Sequence, residues 1–160
     1  MQVTIDDLEE LYRTRYAVFL RVAEAIAGSR DVAAEAVNEG FAGAIRARGA
    51  FRGAGTIESW VWSCVVNAAR SARRREPAPS LEHDEAHEPA AAVANWADDQ
   101  IRSLVARLPE RQRLALFLRY YADLEYREIA DVLGVERGTV SATLHKAHAA
   151  LRPHLQEVPR

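Results

Sequence analysis

The stretch "REIADVLGVERGTVSATLHKA", residues 127–147, holds the side chains best placed to do chemistry. That chemistry is recognition rather than bond making. Ser141 and His145 can hydrogen-bond to base edges, and Ala142 can meet an apolar one. Gly138 lies on the same side of the last helix, and Arg137 and Lys146 flank the group. Arg119 and Arg127 lie close enough in sequence to add phosphate contacts. The opposite side of that helix carries Val140, Leu144, Ala147 and Leu151 at helical spacing. Before it, Ile129 and Leu133 face inward, and Ala130 is small where two helices must approach. Gly134 stands where the turn needs a left-handed residue. The combination is a helix-turn-helix signature. An ordinary helical hairpin is the alternative.

Bond-making chemistry finds little support. The single cysteine, Cys64, sits in an apolar stretch, so neither an intrachain disulfide nor a cysteine zinc site can form. His83 and His87 are spaced i, i+4, but "HDEAH" is not the HExxH pattern, and they read as solvated histidines. His145 and His148 come with no carboxylate and nucleophile. The expectation is no enzyme, no metal and no cofactor.

A recognition face needs a scaffold. The chain has 160 residues, room for one compact domain or two small ones. It is 49% hydrophobic and 8% aromatic, and rich in alanine, which favours helices over sheets. Lys146 is the only lysine among 21 basic residues, which reads as coding in a GC-rich genome. The start, "MQVTIDDLEE", is acidic and predicts no signal peptide. No apolar run approaches the roughly 20 residues of a membrane span. A cytoplasmic protein without membrane insertion is expected.

The net charge of −2 argues alone against nucleic-acid binding, but its distribution does not. Residues 1–75 carry eleven arginines against nine acids, and residues 96–160 ten basic residues against nine acids. Residues 76–95, "EPAPSLEHDEAHEPAAAVAN", carry five acids and no basic residue. Proline and charge mark this segment as a linker, with a reach of at most about 66–72 Å.

The first half reads as three helices. Leu8, Leu11, Tyr12, Phe19, Val22 and Ile26 form one stripe, ended by Gly28. Ser29 or Asp31 opens the second, with Val32, Val37, Phe41 and Ala44 inward. After the glycine-rich "GAFRGAGT", Thr56 is a candidate N-cap for a third helix. Its expected inner face is Ile57, Trp60, Val61, Cys64, Val65 and Ala68. That helix runs into "RRR", residues 73–75, suited either to the helix macrodipole or to nucleic acid. In the second half, Ile101, Leu104, Val105 and Leu108 line one helix. Pro109 is expected at the first position of the next, which turns Leu114, Phe117, Leu118 and Tyr121 inward.

These segments, in this order, resemble a bacterial RNA polymerase sigma factor of the sigma-70 family, extracytoplasmic-function (ECF) type. "LPERQRLALFLRYYADLEYREIADVLGVERGTVSATLHKAHAALR" is similar to the σ4 domain. "LYRTRYAVFLRVAEAIAGSRDVAAEAVNEGFAGAIRARGAFRGAGTIESWVWSCVVNAARSARRR" is similar to σ2. The resemblance implies an all-α fold of two small helical domains. A σ2-like domain would span 1–75, a flexible acidic linker 76–95, and a σ4-like helix-turn-helix domain 96–160. It also implies promoter recognition and transcription initiation with core RNA polymerase. The implied partners are the β′ coiled coil, the β flap and promoter DNA, and, commonly in the family, an anti-sigma factor. The free protein would be a monomer.

By the same resemblance, Glu35, Val37, Asn38, Glu39 and Phe41 would grip the polymerase. The family usually shows Asp at position 35 and Gln at position 38. The loop "AFRGAGT" would capture a flipped base, with Arg52 on phosphate. Trp62 would stack on a base or pack against a neighbouring helix. Asn67 would touch a base or backbone. Positions 63 and 66, often basic in the family, are Ser and Val here, so strand binding would lean on Arg52, Arg70, Arg73 and Arg74. Where relatives often carry Lys, Ser and Arg on the reading helix, this chain has Ser141, Ala142 and Thr143. Two other classes remain open. One is a conventional dimeric helix-turn-helix regulator. The other is a sigma-like polymerase-binding protein that selects no promoter.

Overall fold

The computed structural model describes residues 2–75 and 99–155. The acidic segment 76–95 lies outside the described residues, and so do His83 and His87. Among the described residues there are seven α-helices and no strand. The first three are α1 (Ile5–Ala27), α2 (Arg30–Ala47) and α3 (Ile57–Arg75), with a single 3₁₀ turn at Arg48–Ala50. The others are α4 (Asp99–Ala106), α5 (Glu110–Tyr120), α6 (Tyr126–Leu133) and α7 (Arg137–Leu155).

Local chemistry sets the ends of these helices. Thr4 opens α1 with a capping box: its hydroxyl accepts from the Asp7 N–H at 3.1 Å, and the Asp7 carboxylate accepts from the Thr4 N–H at 2.8 Å. The Thr4 hydroxyl also donates to that carboxylate at 2.7 Å, and this bond first, with the one from the Thr4 N–H, favours the ionised form and holds the Asp7 pKa below its ordinary value. Gly28 ends α1 at φ 81°, a left-handed value that costs glycine little. Ser29, rather than Asp31, caps α2, its Oγ accepting from the Val32 N–H at 3.4 Å. Thr56 caps α3, accepting from the Ser59 N–H at 3.0 Å. Pro109 stands one place earlier than expected, as the N-cap of α5 rather than its first residue.

Helices α1, α2 and α3 close around aromatic side chains. Phe19 stacks on Trp62 with ring centroids 4.0 Å apart, and meets Phe41 edge-on at 5.1 Å. The inner face of α3 is therefore Ser59, Val61, Trp62, Val65, Val66 and Ala69. Of the expected face, only Val61 and Val65 are fully buried. Trp60, Cys64 and Ala68 lie at its edge, partly buried. In the second half, Leu114, Phe117 and Leu118 of α5 pack with Ile129 of α6 and with Val140, Leu144, Ala147 and Leu151 of α7, all buried.

The two halves touch through α3 against α6 and α1 against α5. Arg15 of α1 joins them. It pairs with Glu58 of α3 at 3.0 Å, and its Nη2 donates to the Ala122 carbonyl at 2.8 Å, beyond the end of α5.

Gly40 marks the closest approach of α2 to α3. A Cβ there would lie 2.7 Å from the Val65 Cα, a backbone atom that cannot swing aside. Gly40→Ala should therefore cost about 1–3 kcal/mol. The expected result is a lower urea midpoint with the helical circular-dichroism signal retained in buffer.

Candidate nucleic-acid interface

The turn between α6 and α7 has the geometry that a helix-turn-helix requires. Gly134 sits at φ 64°, and the Val135 N–H donates to the Ala130 carbonyl at 3.0 Å. At the start of α7, the Glu136 carbonyl accepts from the N–H groups of Thr139 and Val140. With its apolar side buried, α7 presents Arg137, Gly138, Ser141, Ala142, His145 and Lys146 on its exposed side. All six expected recognition residues thus share one open face. Thr139 is exposed there too, and was missed because it lies between the two stripes. His148 faces α5, where its ring nitrogen lies 2.9 Å from the Tyr120 hydroxyl.

The two arginines expected to support this face differ. Arg127 is exposed. The Arg119 guanidinium donates to the Leu124 carbonyl at 3.3 Å and lies 3.6 Å from Asp123. It closes the turn between α5 and α6 instead of reaching outward.

In the first half, the loop before α3 is open. Arg52 is exposed between the half-buried Phe51 and Gly53. Gly53 and Gly55 take φ values of 75° and 89°, which side chains rarely adopt. Asn67, one helix further on, is exposed. A groove of about 700 Å³ between α2 and α3 has Asn67, Arg74 and Arg75 on one wall and Glu39 on the other, over Gly40 and Gly43. The structure thus brings one expected docking residue and two expected strand-binding residues to a single groove. Cys64 also lines it, and burial pushes its thiol pKa up, away from the reactive thiolate.

Several expected site residues have other work. Trp62 is fully buried, and its ring face is taken by Phe19. Its indole N–H points to Glu58 at 3.4 Å. It is a core residue and not a base platform. The aromatic pair beside the loop is Phe51 with Trp60, centroids 5.4 Å apart. Val37 and Phe41 are likewise buried, Phe41 at the floor of a groove between α1 and α2. Arg73 donates to the Ile26 carbonyl at 2.8 Å, and Arg70 lies 3.5 Å from Glu110. Arg74 contacts Ser71 at 3.2 Å. Glu35, Asn38 and Glu39 are exposed. Asn38 accepts from the Tyr12 hydroxyl at 3.0 Å, and Glu39 pairs with Arg46 at 2.8 Å.

Sequence reasoning did not foresee the contact between the loop and α6. The Thr56 hydroxyl donates to Glu128 Oε1 at 2.7 Å, so a carboxylate sits at the N-terminus of α3. Arg21 lies over the Tyr121 ring, 5.5 Å from its centroid. Among the described residues, no cluster of three metal-ligating side chains occurs, and no helix is long and apolar enough to cross a membrane.

A helix-turn-helix and a three-helix unit with an open glycine loop define a helical DNA-binding protein. Comparison with known proteins gives its family. The family model for Sigma-70 region 2 matches residues 11–77, and that for Sigma-70 region 4 matches residues 98–151. The RNA polymerase sigma-H factor of Pseudomonas aeruginosa is 31% identical over 149 residues, covering 82% of this chain and 75% of its own. The ECF RNA polymerase sigma-E factor of Escherichia coli is 29% identical, over 79% of this chain and 75% of its own. Among solved structures, the sigma factor RpoE of Bartonella quintana, in complex with the anti-sigma factor NepR, superposes with a TM-score of 0.69 at 17% identity. That match covers 98% of this chain and all of the other. The chain belongs to the sigma-70 family of RNA polymerase sigma factors, of the ECF type. It directs transcription initiation from promoters through core RNA polymerase.

The placement of Trp62 separates packing from base contact. Trp62→Ala should cost about 3–5 kcal/mol of stability. Trp62→Phe keeps a ring against Phe19 and should leave promoter melting by the holoenzyme intact. Lost melting with a normally stable Trp62→Phe protein would return the residue to the DNA site.

Proposed function

We propose that the exposed face of α7 reads the upstream promoter element in the major groove, with Ser141, Ala142 and His145 at base edges and Arg137 and Lys146 beside the backbone. The observation that carries this reading is the single open face that these residues share, opposite a fully buried stripe. The loop with Arg52, Gly53 and Gly55, together with Asn67 and Arg74, holds a melted base and its strand. Glycine there admits close backbone approach. Glu35, Asn38 and Glu39 form the polar docking surface for a basic element of the polymerase, where charge complementarity favours encounter and register. The chain contributes recognition, and the polymerase makes the bonds.

The face of α7 offers few cations, so its own affinity for duplex DNA is low and salt-sensitive. Polymerase and the second DNA foothold raise the effective concentration of α7 at its site. The contact between the halves points the same way. Promoter elements about two helical turns apart stand roughly 70 Å from each other. While α6 rests on the loop at Thr56, one protein cannot meet both, so docking on polymerase must part them. An anti-sigma factor, as in the complex of the Bartonella sigma factor, fits as a further partner.

Glu39→Arg reverses a charge on an exposed position and should weaken core polymerase binding without changing the fold. Pull-down with core polymerase checks it, and binding equal to the native protein would mean that docking lies elsewhere. Ser141→Lys should change the ranking of a library of upstream elements in holoenzyme transcription. A good bidentate contact discriminates by about 1–3 kcal/mol. An unchanged ranking, at normal polymerase binding, would favour a sigma-like protein that binds polymerase and selects no promoter.

A further inference from the structure

An acid stands at the tip of the helix that reads DNA. Glu136 is the residue before α7, and it is exposed. Its carbonyl accepts from the N–H groups of Thr139 and Val140 at 2.9 and 3.2 Å, so the backbone opens the helix without help from the side chain. Among the described residues, the Glu136 carboxylate has no hydrogen-bond or ion-pair partner. Other acids of the second half are engaged. Glu110 lies 3.5 Å from Arg70, Asp123 lies 3.6 Å from Arg119, and Glu128 accepts from Thr56 at 2.7 Å. The fold gives Glu136 no task beyond a favourable place at a helix N-terminus.

In a helix-turn-helix, the N-terminal end of the second helix meets the base edges. Arg137, Gly138 and Thr139, which follow Glu136, are all exposed. A Cβ on Gly138 would meet nothing within 4 Å, so packing does not demand glycine there, and its missing side chain leaves this end free to sit deep in a groove. The charges of Glu136 and Arg137 cancel, so the tip gains no net attraction to phosphate. A carboxylate against the DNA backbone would be repelled, and most base edges suit it no better. Guanine shows N7 and O6 in the major groove, thymine O4 and adenine N7, all of them acceptors. An ionised carboxylate only accepts. The donors are the N4 amino group of cytosine and the N6 amino group of adenine, and the second lies beside the N7 acceptor. Cytosine alone offers a carboxylate a donor with no acceptor next to it on the same base.

We propose that Glu136 is a specificity-determining residue: its carboxylate accepts from the N4 amino group of one cytosine in the upstream promoter element and disfavours the other three bases there. The inference rests on the reading of α7 given above. Most of the discrimination comes from rejection. A guanine, thymine or adenine acceptor set against the carboxylate leaves a desolvated charge facing a lone pair, whereas cytosine supplies the missing donor. This suits a face with few cations. Such a face gains little from phosphates, and a charge that tolerates one base sharpens the choice of sequence without adding affinity.

The test measures transcription by holoenzyme carrying the full chain, from a promoter library in which each position of the upstream element is varied in turn. The native protein, Glu136→Gln, Glu136→Ala and Ser141→Lys are compared, and urea midpoints are recorded throughout. The native protein should prefer cytosine at one position. Glu136→Ala should lower that preference about tenfold, within the range of one good base contact, and leave the preferences at other positions as they are. Glu136→Gln should turn the preference toward adenine, because an amide pairs with N6 and N7 together. Should Glu136→Ala lower the urea midpoint, Glu136→Gln decides, since it keeps the shape and removes only the charge. The proposal is overturned if the native protein prefers cytosine nowhere, or if the preference survives in the deciding variant. It is overturned too if Glu136→Gln raises the use of all upstream elements evenly, because the carboxylate then only repels the backbone. If Ser141→Lys changes the ranking while the Glu136 variants do not, this contact falls and the reading of α7 stands. If no variant changes the ranking, both fall.

Discussion

The close approach of α2 to α3 is the constraint on which the first half depends. Two helices can come this near only where a side chain is missing, and Gly40 leaves that space against the Val65 backbone. The approach brings Glu39 and Asn67 to facing walls of one groove. It also closes the aromatic core, because Phe41 on α2 and Trp62 on α3 can then both reach Phe19 on α1. The proposed docking face and the proposed strand-binding face thus share one helix pair. Strain placed on one is carried to the other through a packed interior that has little room to yield.

The second half depends on polar groups in a different way. Three of its four helices are short, and partly buried guanidinium groups satisfy carbonyls at helix ends. Arg113 donates to the carbonyls of Ala106 and Leu108 at the end of α4, and Arg119 to that of Leu124 beyond α5. Burial lowers the Arg113 pKa, with Arg73 of the first half adding to the shift and Glu110 opposing it. Arginine tolerates this because its guanidinium remains protonated through large shifts. Two arginines of the first half do similar work, Arg15 on the Ala122 carbonyl of the second half and Arg73 on that of Ile26. Much of the positive charge of this arginine-rich chain is therefore spent inside the fold or between its halves. That explains how two weakly basic halves present so few cations to DNA.

This use of arginine also marks how far the sequence was legible. The helix-turn-helix could be read because its turn admits few solutions. A left-handed residue must stand at Gly134, a small one at Ala130, and an apolar stripe must resume at Val140. Helix α3 was misphased because Trp60, Trp62, Cys64 and Val66 give two apolar stripes of similar strength. Which one turns inward is decided by Phe19, far away in sequence. Val37 and Phe41 belong to the pattern that signals the family, yet the pattern mixes core and surface positions, and only packing sorts them. The contact of Thr56 with Glu128 spans 72 residues and leaves no periodic trace in the chain.

That long-range contact joins the two units whose surfaces are proposed to face DNA. Glu128 serves both halves with its two carboxylate oxygens. One accepts from the Glu125 N–H at the start of α6, and the other from the Thr56 hydroxyl at the start of α3. The first bond is local to α6 and is kept whether or not the halves touch. The second is lost when they part, and water can then solvate both groups, so its net worth is about 1.5–3 kcal/mol at most, as for a hydrogen bond to a charged group. The Arg15 bond to the Ala122 carbonyl falls in the same range, and the exposed Arg70–Glu110 pair is worth less. A handful of such bonds is strong enough to favour contact in the free chain. It is weak enough for a partner interface of ordinary size to overcome, since such interfaces hold complexes at micromolar to picomolar affinity. The same acids that keep α6 against the loop would repel a DNA strand brought to it. On the reading proposed above, parting α6 from Thr56 would free that end of the loop for DNA, and polymerase docking would bring this about.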